Sequence, residues 1–252
     1  MDLKTFFSQN PRAALAFSGG VDSSYLLYAA KHYGCAVHAY FIHSAFQPQF
    51  ELDDARRLAE ELGVPLTVAE VDVLKSPQVA ANDPLRCYYC KTALFTQLLE
   101  LAKKDGCPLL MDGTNASDLA DDRPGMRALK ELGVRSPLRE CGLTKPEIRR
   151  LSKEAGLFTY DKPAYACLAT RIPTGTKITS ERLDQVAKGE AILFSMGFTD
   201  FRVRYFHNAA KIQLPESQFP MALLKKEELT RELSRWFDGV LLDLTPRGGK
   251  EG

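Results

Sequence analysis

Two groups of residues in this chain have the types and spacing to do chemistry. The first is Ser18-Gly19-Gly20-Val21-Asp22-Ser23, set between an apolar run, Ala13 to Phe17, and a helical stretch, Ser23 to Ala30. A glycine pair between a buried strand and a helix lets the backbone approach a ligand closely. Unpaired N–H groups at the helix start, with the helix dipole, then make an anion site. The hydroxyls of Ser18 and Ser23 can add donors to phosphate oxygens. Asp22 cannot favour phosphate directly, so a carboxylate there makes best sense with Mg²⁺ between it and the anion. The lysine of a Walker loop is absent. A tight strand–helix turn with a capped helix is the alternative.

The second group is the cysteines. Cys87-Tyr88-Tyr89-Cys90 is a CxxC, and Cys167 lies far downstream in Ala166-Cys167-Leu168-Ala169-Thr170-Arg171. Two thiolates at this spacing can grip one metal centre, with a third arriving from a separate loop. Three thiolates leave one iron of a [4Fe–4S] cluster free for an added ligand such as sulfide. Zinc would need a fourth ligand, and redox use of the CxxC pair is a further alternative. Cys35, Cys107 and Cys141 read as small hydrophobes. Arg171, beside Cys167, is placed to assist a sulfur nucleophile. Arg202 and Arg204 alternate on a strand and could clamp a substrate phosphate, or be solvated arginines on an edge strand. Glu181, Asp184 and Glu190 read as capping and surface charges. His43 could touch adenosine or be structural.

The elements that must position these residues alternate. Apolar runs at 13–17, 36–42, 66–71 and 108–111 read as strands, and helical spacing fills 53–62 and 94–102 between them. Such alternation implies a parallel sheet covered on both faces. Thr144-Lys145-Pro146-Glu147 is a capping box that starts a helix over 145–155. Between Leu157 and Thr179 the texture turns to Pro, Gly and Thr, which marks a domain junction. The expected division is a Rossmann-like α/β domain over 1–172 and a smaller α+β domain over 173–252. In the latter, helices are expected over 180–196 and 221–236, and strands over 201–205, 210–214 and 239–244.

The 252 residues carry 33 Lys and Arg against 32 Asp and Glu, a formal net charge of +1. That balance is not the footprint of a dedicated nucleic-acid binder. No apolar run approaches the roughly 20 residues that span a bilayer. The N-terminus lacks the features of a secretory signal, so the cytoplasm is the expected compartment.

Ser18 to Ser23 resembles the signature of the PP-loop ATP pyrophosphatases, which cleave ATP between the α and β phosphates. Asp112-Gly113-Thr114-Asn115-Ala116-Ser117-Asp118 is similar to the second nucleotide-side motif of that group, and a turn with Asx caps is its alternative. The resemblance thereby assigns Gly113, Thr114, Asn115 and Asp118 to nucleotide binding. Four further blocks resemble the LarE family of ATP-dependent sulfur transferases: Asn82 to Lys91, Asp121 to Gly125, Lys162-Pro163-Ala164, and Ala166 to Pro173. The match continues through Phe201 to Arg204 and on to Asp243-Leu244.

This resemblance implies adenylation of a pyridinium-derived biscarboxylic mononucleotide, then sulfur attack to give a thiocarboxylic acid for a nickel-pincer cofactor. Some members sacrifice the cysteine matching Cys167. Others use all three cysteines to hold a [4Fe–4S] cluster, the type that Cys87, Cys90 and Cys167 favour. Family members tend to form homo-oligomers. Among rival readings, a tRNA-thiolating enzyme calls for an RNA-binding surface or module that the sequence does not display. A nucleotide- or metal-sensing module would bind ATP without releasing pyrophosphate, and an amide-forming synthetase would call for a glutaminase module.

Overall fold

The computed structural model describes residues 1–118 and 123–248. From the N-terminus run α1 (Leu3–Gln9), β1 (Arg12–Ala16), α2 (Val21–His32), β2 (Ala36–His43), α3 (Gln49–Glu61) and β3 (Leu66–Glu70). Next come α4 (Pro77–Ala80), α5 (Arg86–Lys104), β4 (Leu110–Met111), α6 (Pro124–Glu131), α7 (Pro137–Glu140) and α8 (Lys145–Glu154). The chain ends with α9 (Ser180–Ser195), β5 (Arg202–Phe206), β6 (Ala209–Gln213), α10 (Phe219–Leu224), α11 (Lys226–Leu233) and β7 (Gly239–Leu242).

The chain forms two units, one of residues 1–73 and 85–165, the other of residues 74–84 and from Ala166 onward. In the first unit the strand order is β3-β2-β1-β4, every pair parallel. Parallel strands are covered on both faces, which is why their sequences run apolar without interruption. Ala13, Leu15, Val37, Ala39 and Phe41 pack with Leu26, Leu27 and the rest of one core cluster. Ala14 and Tyr40 pack with Leu98 and Ala102 in another. β4 is short because Pro108 cannot donate to a ladder, and Met111 bridges in parallel to Arg135 beyond it. In the second unit β5 and β6 pair antiparallel and β6 and β7 parallel. Leu193, Val203, Ile212, Leu233 and Phe237 form its core. The expected α/β parallel-sheet domain and smaller α+β unit are both present.

Three features differ from the sequence expectations. The helix expected over 94–102 begins at Arg86, so the CxxC lies on its first turns. The helix expected over 221–236 is two helices, broken at Lys225. The unit boundary falls between Tyr165 and Ala166 rather than after Ile172, and residues 74–84 join the second unit. Hydrogen bonds explain the last point. The Asn82 side-chain amide donates to the carbonyls of Ile172, Pro173 and Thr176, and Gly175 N donates to Asn82 O. No periodicity reveals such stitching.

Candidate functional site

β1 ends inside the core and delivers the chain to Ser18 at the carboxyl end of the sheet. Gly19 then turns at φ +70°, where L side chains are strained, and a Cβ there would meet Glu51 O at 3.0 Å. Gly20 caps α2, and Ser24 N makes its first helical bond to Gly20 O. The loop closes on its own hydroxyls: Ser18 Oγ and Ser23 Oγ are 3.1 Å apart, and Ser23 Oγ donates to Gly20 O at 3.2 Å. Val21 anchors the first turn in the core. Ser18 to Ser23 thus form a strand–turn–helix with α2 amides at its opening, the geometry of an anion cradle.

The loop from Asp112 to Asp118 lies against this turn. A Cβ on Gly113 would sit 2.8 Å from Ser23 N and 3.1 Å from Ser23 Cα, so only glycine permits the approach. The loop is internally fastened: Thr114 N and Oγ1 donate to Asp112, Asn115 N to Asp118 Oδ2, and Ser117 N to Asn115 Oδ1. It is therefore an Asx-braced turn that also packs on the glycine loop. The turn with Asx caps is thus present, and it lies against the glycine loop.

Asp22 is the carboxylate of the site. Burial pushes its carboxyl above the usual carboxylate range, against the pull of Lys145. Its Oδ2 accepts from Lys145 Nζ at 2.5 Å, while its buried Oδ1 has no partner among the described residues. A buried carboxylate oxygen without a donor is costly unless a cation takes it. That orphaned atom beside an anion cradle fits Mg²⁺.

Two lysines that sequence reasoning left out meet this loop. Lys145, at the start of α8, pairs with Asp22. Lys162 donates to Gly19 O at 3.1 Å and to Asp54 Oδ2 at 2.6 Å. Its only signal in the sequence was the Lys162-Pro163-Ala164 block. His43, by contrast, hydrogen-bonds Glu70 at the ends of their neighbouring strands.

The cysteines fall in separate units, Cys87 and Cys90 in the first and Cys167 in the second. None of the three is in a disulfide. Cys87 and Cys90 are three apart on α5 and share a face. Among the described residues no three His, Cys, Asp or Glu side chains assemble into a metal-holding group. Thiolates are the donors of iron–sulfur centres, and the first unit by itself offers Cys87 and Cys90.

In the second unit Arg171 is buried and pairs with buried Glu190, Nε to Oε1 at 2.7 Å. Glu190 also accepts from Val203 N, so its expected role as a surface charge is corrected. Periodicity on α9 hides this, because one acidic residue on the buried face reads like any other. Arg171 reaches the cysteine segment by donating to the Ala166 carbonyl and to the Thr170 hydroxyl. Its charge is thus matched by Glu190. Arg202 is buried and Arg204 half-buried, so solvated edge-strand arginines are excluded. Burial lowers Arg202 to about 10, helped by repulsion from Arg171 and Arg247, and Arg204 is lowered for the same reasons. Crowded, partly desolvated guanidinium groups are suited to an anion.

Of the expected block Asp121 to Gly125, Asp121 and Asp122 lie outside the described residues. Arg123 caps α6, and Gly125 lets that helix pass Lys91.

A lysine-free glycine turn after the first strand of a parallel sheet, with an acidic residue at the following helix start, defines a nucleotide-binding domain of the PP-loop class. A family model described as queuosine biosynthesis protein QueC matches residues 12–82. The chain is 35% identical over 236 residues to pyridinium-3,5-bisthiocarboxylic acid mononucleotide synthase of Lactiplantibacillus plantarum, covering 92% of this chain and 86% of that protein. It is 39% identical over 220 residues to an uncharacterised protein of Synechocystis, covering 86% and 81% respectively. A tRNA-specific 2-thiouridylase MnmA of Rhizobium leguminosarum is 29% identical over 198 residues, covering 61% of this chain and 49% of that one. The chain belongs to the LarE family of ATP-dependent sulfur transferases, and it is an enzyme. Among the described residues no helix is long and apolar enough to cross a membrane.

Proposed function

We propose that this enzyme adenylates a carboxylate of a pyridinium biscarboxylic acid mononucleotide and converts it to a thiocarboxylic acid in nickel-pincer cofactor synthesis. The observation that carries the adenylation half is the orphaned Asp22 Oδ1 beside the turn formed by Ser18, Gly19 and Gly20. The family relationship supplies the acceptor and the sulfur step.

A carboxylate is a poor electrophile because its oxygen leaves badly. Transfer of AMP from ATP turns that oxygen into a good leaving group and releases pyrophosphate. In this reading the amides at the start of α2, with Ser18 and Ser23, hold phosphate oxygens, and Gly113, Thr114, Asn115 and Asp118 border the nucleotide. Mg²⁺ held on Asp22 would neutralise charge on the departing pyrophosphate. Arg202 and Arg204 bind the substrate's phosphate, and Arg171 holds the turn that presents Cys167. Cys87, Cys90 and Cys167 would hold a [4Fe–4S] cluster, which when bound would supply sulfur as sulfide. Sacrifice of Cys167 itself is the competing sulfur source. The protein is proposed to work as a homo-oligomer in the cytoplasm on a small-molecule substrate.

The test is pyrophosphate release by anaerobically purified protein. Asp22→Asn is expected to reduce it by about 10²–10³-fold, the scale of a lost transition-state charge contact. Full activity in that variant defeats the adenylation reading. Iron and sulfide analysis of wild type against Cys90→Ala decides the cluster. Iron-free wild type that turns over once and loses the mass of H₂S at Cys167 favours the sacrificial route.

A further inference from the structure

The glycine turn lacks a lysine in its own sequence, yet an ammonium group sits against its backbone. Lys162 Nζ lies 3.1 Å from Gly19 O and 2.6 Å from Asp54 Oδ2, its side chain 14% exposed. We propose that Lys162 is the phosphate-binding cation of this enzyme, resting on Asp54 without nucleotide and turning to the β and γ phosphates of ATP when it binds. The inference rests on the nucleotide reading of the loop and deepens it.

Three observations in the first unit carry it. The first concerns how the lysine is held. Arg149 on α8 donates from Nη1 to Tyr160 O and from Nη2 to Lys162 O, each at 2.8 Å. A two-pronged grip on the carbonyls of Tyr160 and Lys162 fixes the backbone at Lys162 and leaves its four-carbon side chain to move. The second is donor capacity. An ammonium has three N–H donors; two are used, on a loop carbonyl and on a carboxylate, and the ammonium otherwise meets only the face of the Phe50 ring, 5.5 Å from its centroid, among its described contacts. The remaining donor serves a phosphate oxygen, and the Asp54 contact is exchangeable because Asp54 is about one-third exposed. The third is fixity of the turn. Gly19 stands at φ +70° with Glu51 O close behind it, so a cation bound to its carbonyl keeps its place relative to the α2 amides.

A purely structural ion pair between α3 and the 160–162 segment is the competing explanation, and it makes a different forecast. If the pair only ties these segments together, removing either partner has the same effect. If Lys162 serves the nucleotide, the two removals act in opposite directions, because Asp54 competes with phosphate for one ammonium.

Titration calorimetry with Mg²⁺ and α,β-methylene ATP, pyrophosphate or AMP separates the cases, with melting curves alongside to establish that each variant is folded. Lys162→Met is expected to weaken the ATP analogue and pyrophosphate by about 10- to 100-fold, the cost of one hydrogen bond to a charged group, and AMP by less than about twofold. Asp54→Asn is expected to bind the analogue at least as tightly as wild type. The inference is overturned if Lys162→Met binds the analogue within about twofold of wild type, if AMP weakens in parallel, or if both variants lose affinity together. Wild type that binds neither the analogue nor AMP sinks the nucleotide reading and this inference with it. Wild-type binding with an unaffected Lys162→Met sinks only the role of Lys162.

Discussion

The two units treat their charges differently. In the first, Lys145 and Lys162 each meet a carboxylate that stays partly exposed, with side chains 22% and 32% accessible for Asp22 and Asp54. Such pairs are weak and exchangeable, since solvent and incoming ions compete for each partner. In the second, Arg171 and Glu190 are 1% and 3% exposed and share further bonds to Ala166 O and Val203 N. A desolvated pair of that kind is not given up to a ligand, because either charge left alone is penalised heavily. The contrast teaches how one chain divides its tasks. Two partly exposed ion pairs lie at the loop proposed to admit and release a polyphosphate, and a fixed pair holds the turn that carries Cys167.

The largest effect should come from breaking the fixed pair. Arg171→Met leaves Glu190 buried without its cation and is expected to cost about 3–5 kcal/mol of stability in denaturant unfolding. Loss below about 1 kcal/mol would show that the second unit's pair is as exchangeable as those in the first. Next is the approach of the two loops in the first unit. Gly113→Ala drives a methyl group into the Ser23 backbone, with about 1–3 kcal/mol of overpacking expected. ATP-analogue affinity in calorimetry should fall with it, whereas Gly239→Ala, whose added Cβ would make only an ordinary contact with Ala209 Cβ at 3.6 Å, should leave that affinity unchanged.

The smallest effect is a pH dependence in the second unit. Hydrogen bonds from Lys211 and Gln213 hold Asp243 down to about 2. A folded-state value below the unfolded one means the stabilisation is complete above about pH 4 and is lost as pH falls towards 2. Asp243→Asn should therefore lower stability by about 1–2 kcal/mol at pH 6 and by progressively less below pH 4, read from urea midpoints. An equal loss at pH 6 and pH 2 would remove the carboxylate's charge from the comparison.

What could be read from sequence was what neighbours along the chain decide. The Ser18 to Ser23 turn follows from local residue order, as does the capping box, where Thr144 and Glu147 exchange bonds three residues apart. The parallel sheet follows from apolar runs separated by helical ones, and the CxxC from its own spacing. The family resemblance was equally legible, being carried by short contiguous blocks. The start of α5 was missed because Arg86 to Lys91 is too polar to show an apolar stripe, and the break at Lys225 because the apolar pattern runs through it.

The sequence by itself determined that a glycine turn with an acidic residue opens a helix after the first strand, and which family the chain joins. Only the tertiary structure decided which cations meet that turn. Lys145 meets Asp22 across 123 positions and Lys162 meets Gly19 across 143, separations at which no periodicity or motif reports a contact. It likewise decided that Glu190 is an interior partner rather than a surface charge. The reason is physical: a backbone turn is fixed by the φ and ψ that its own residues permit, whereas an ion pair is fixed by where packing brings two distant side chains together.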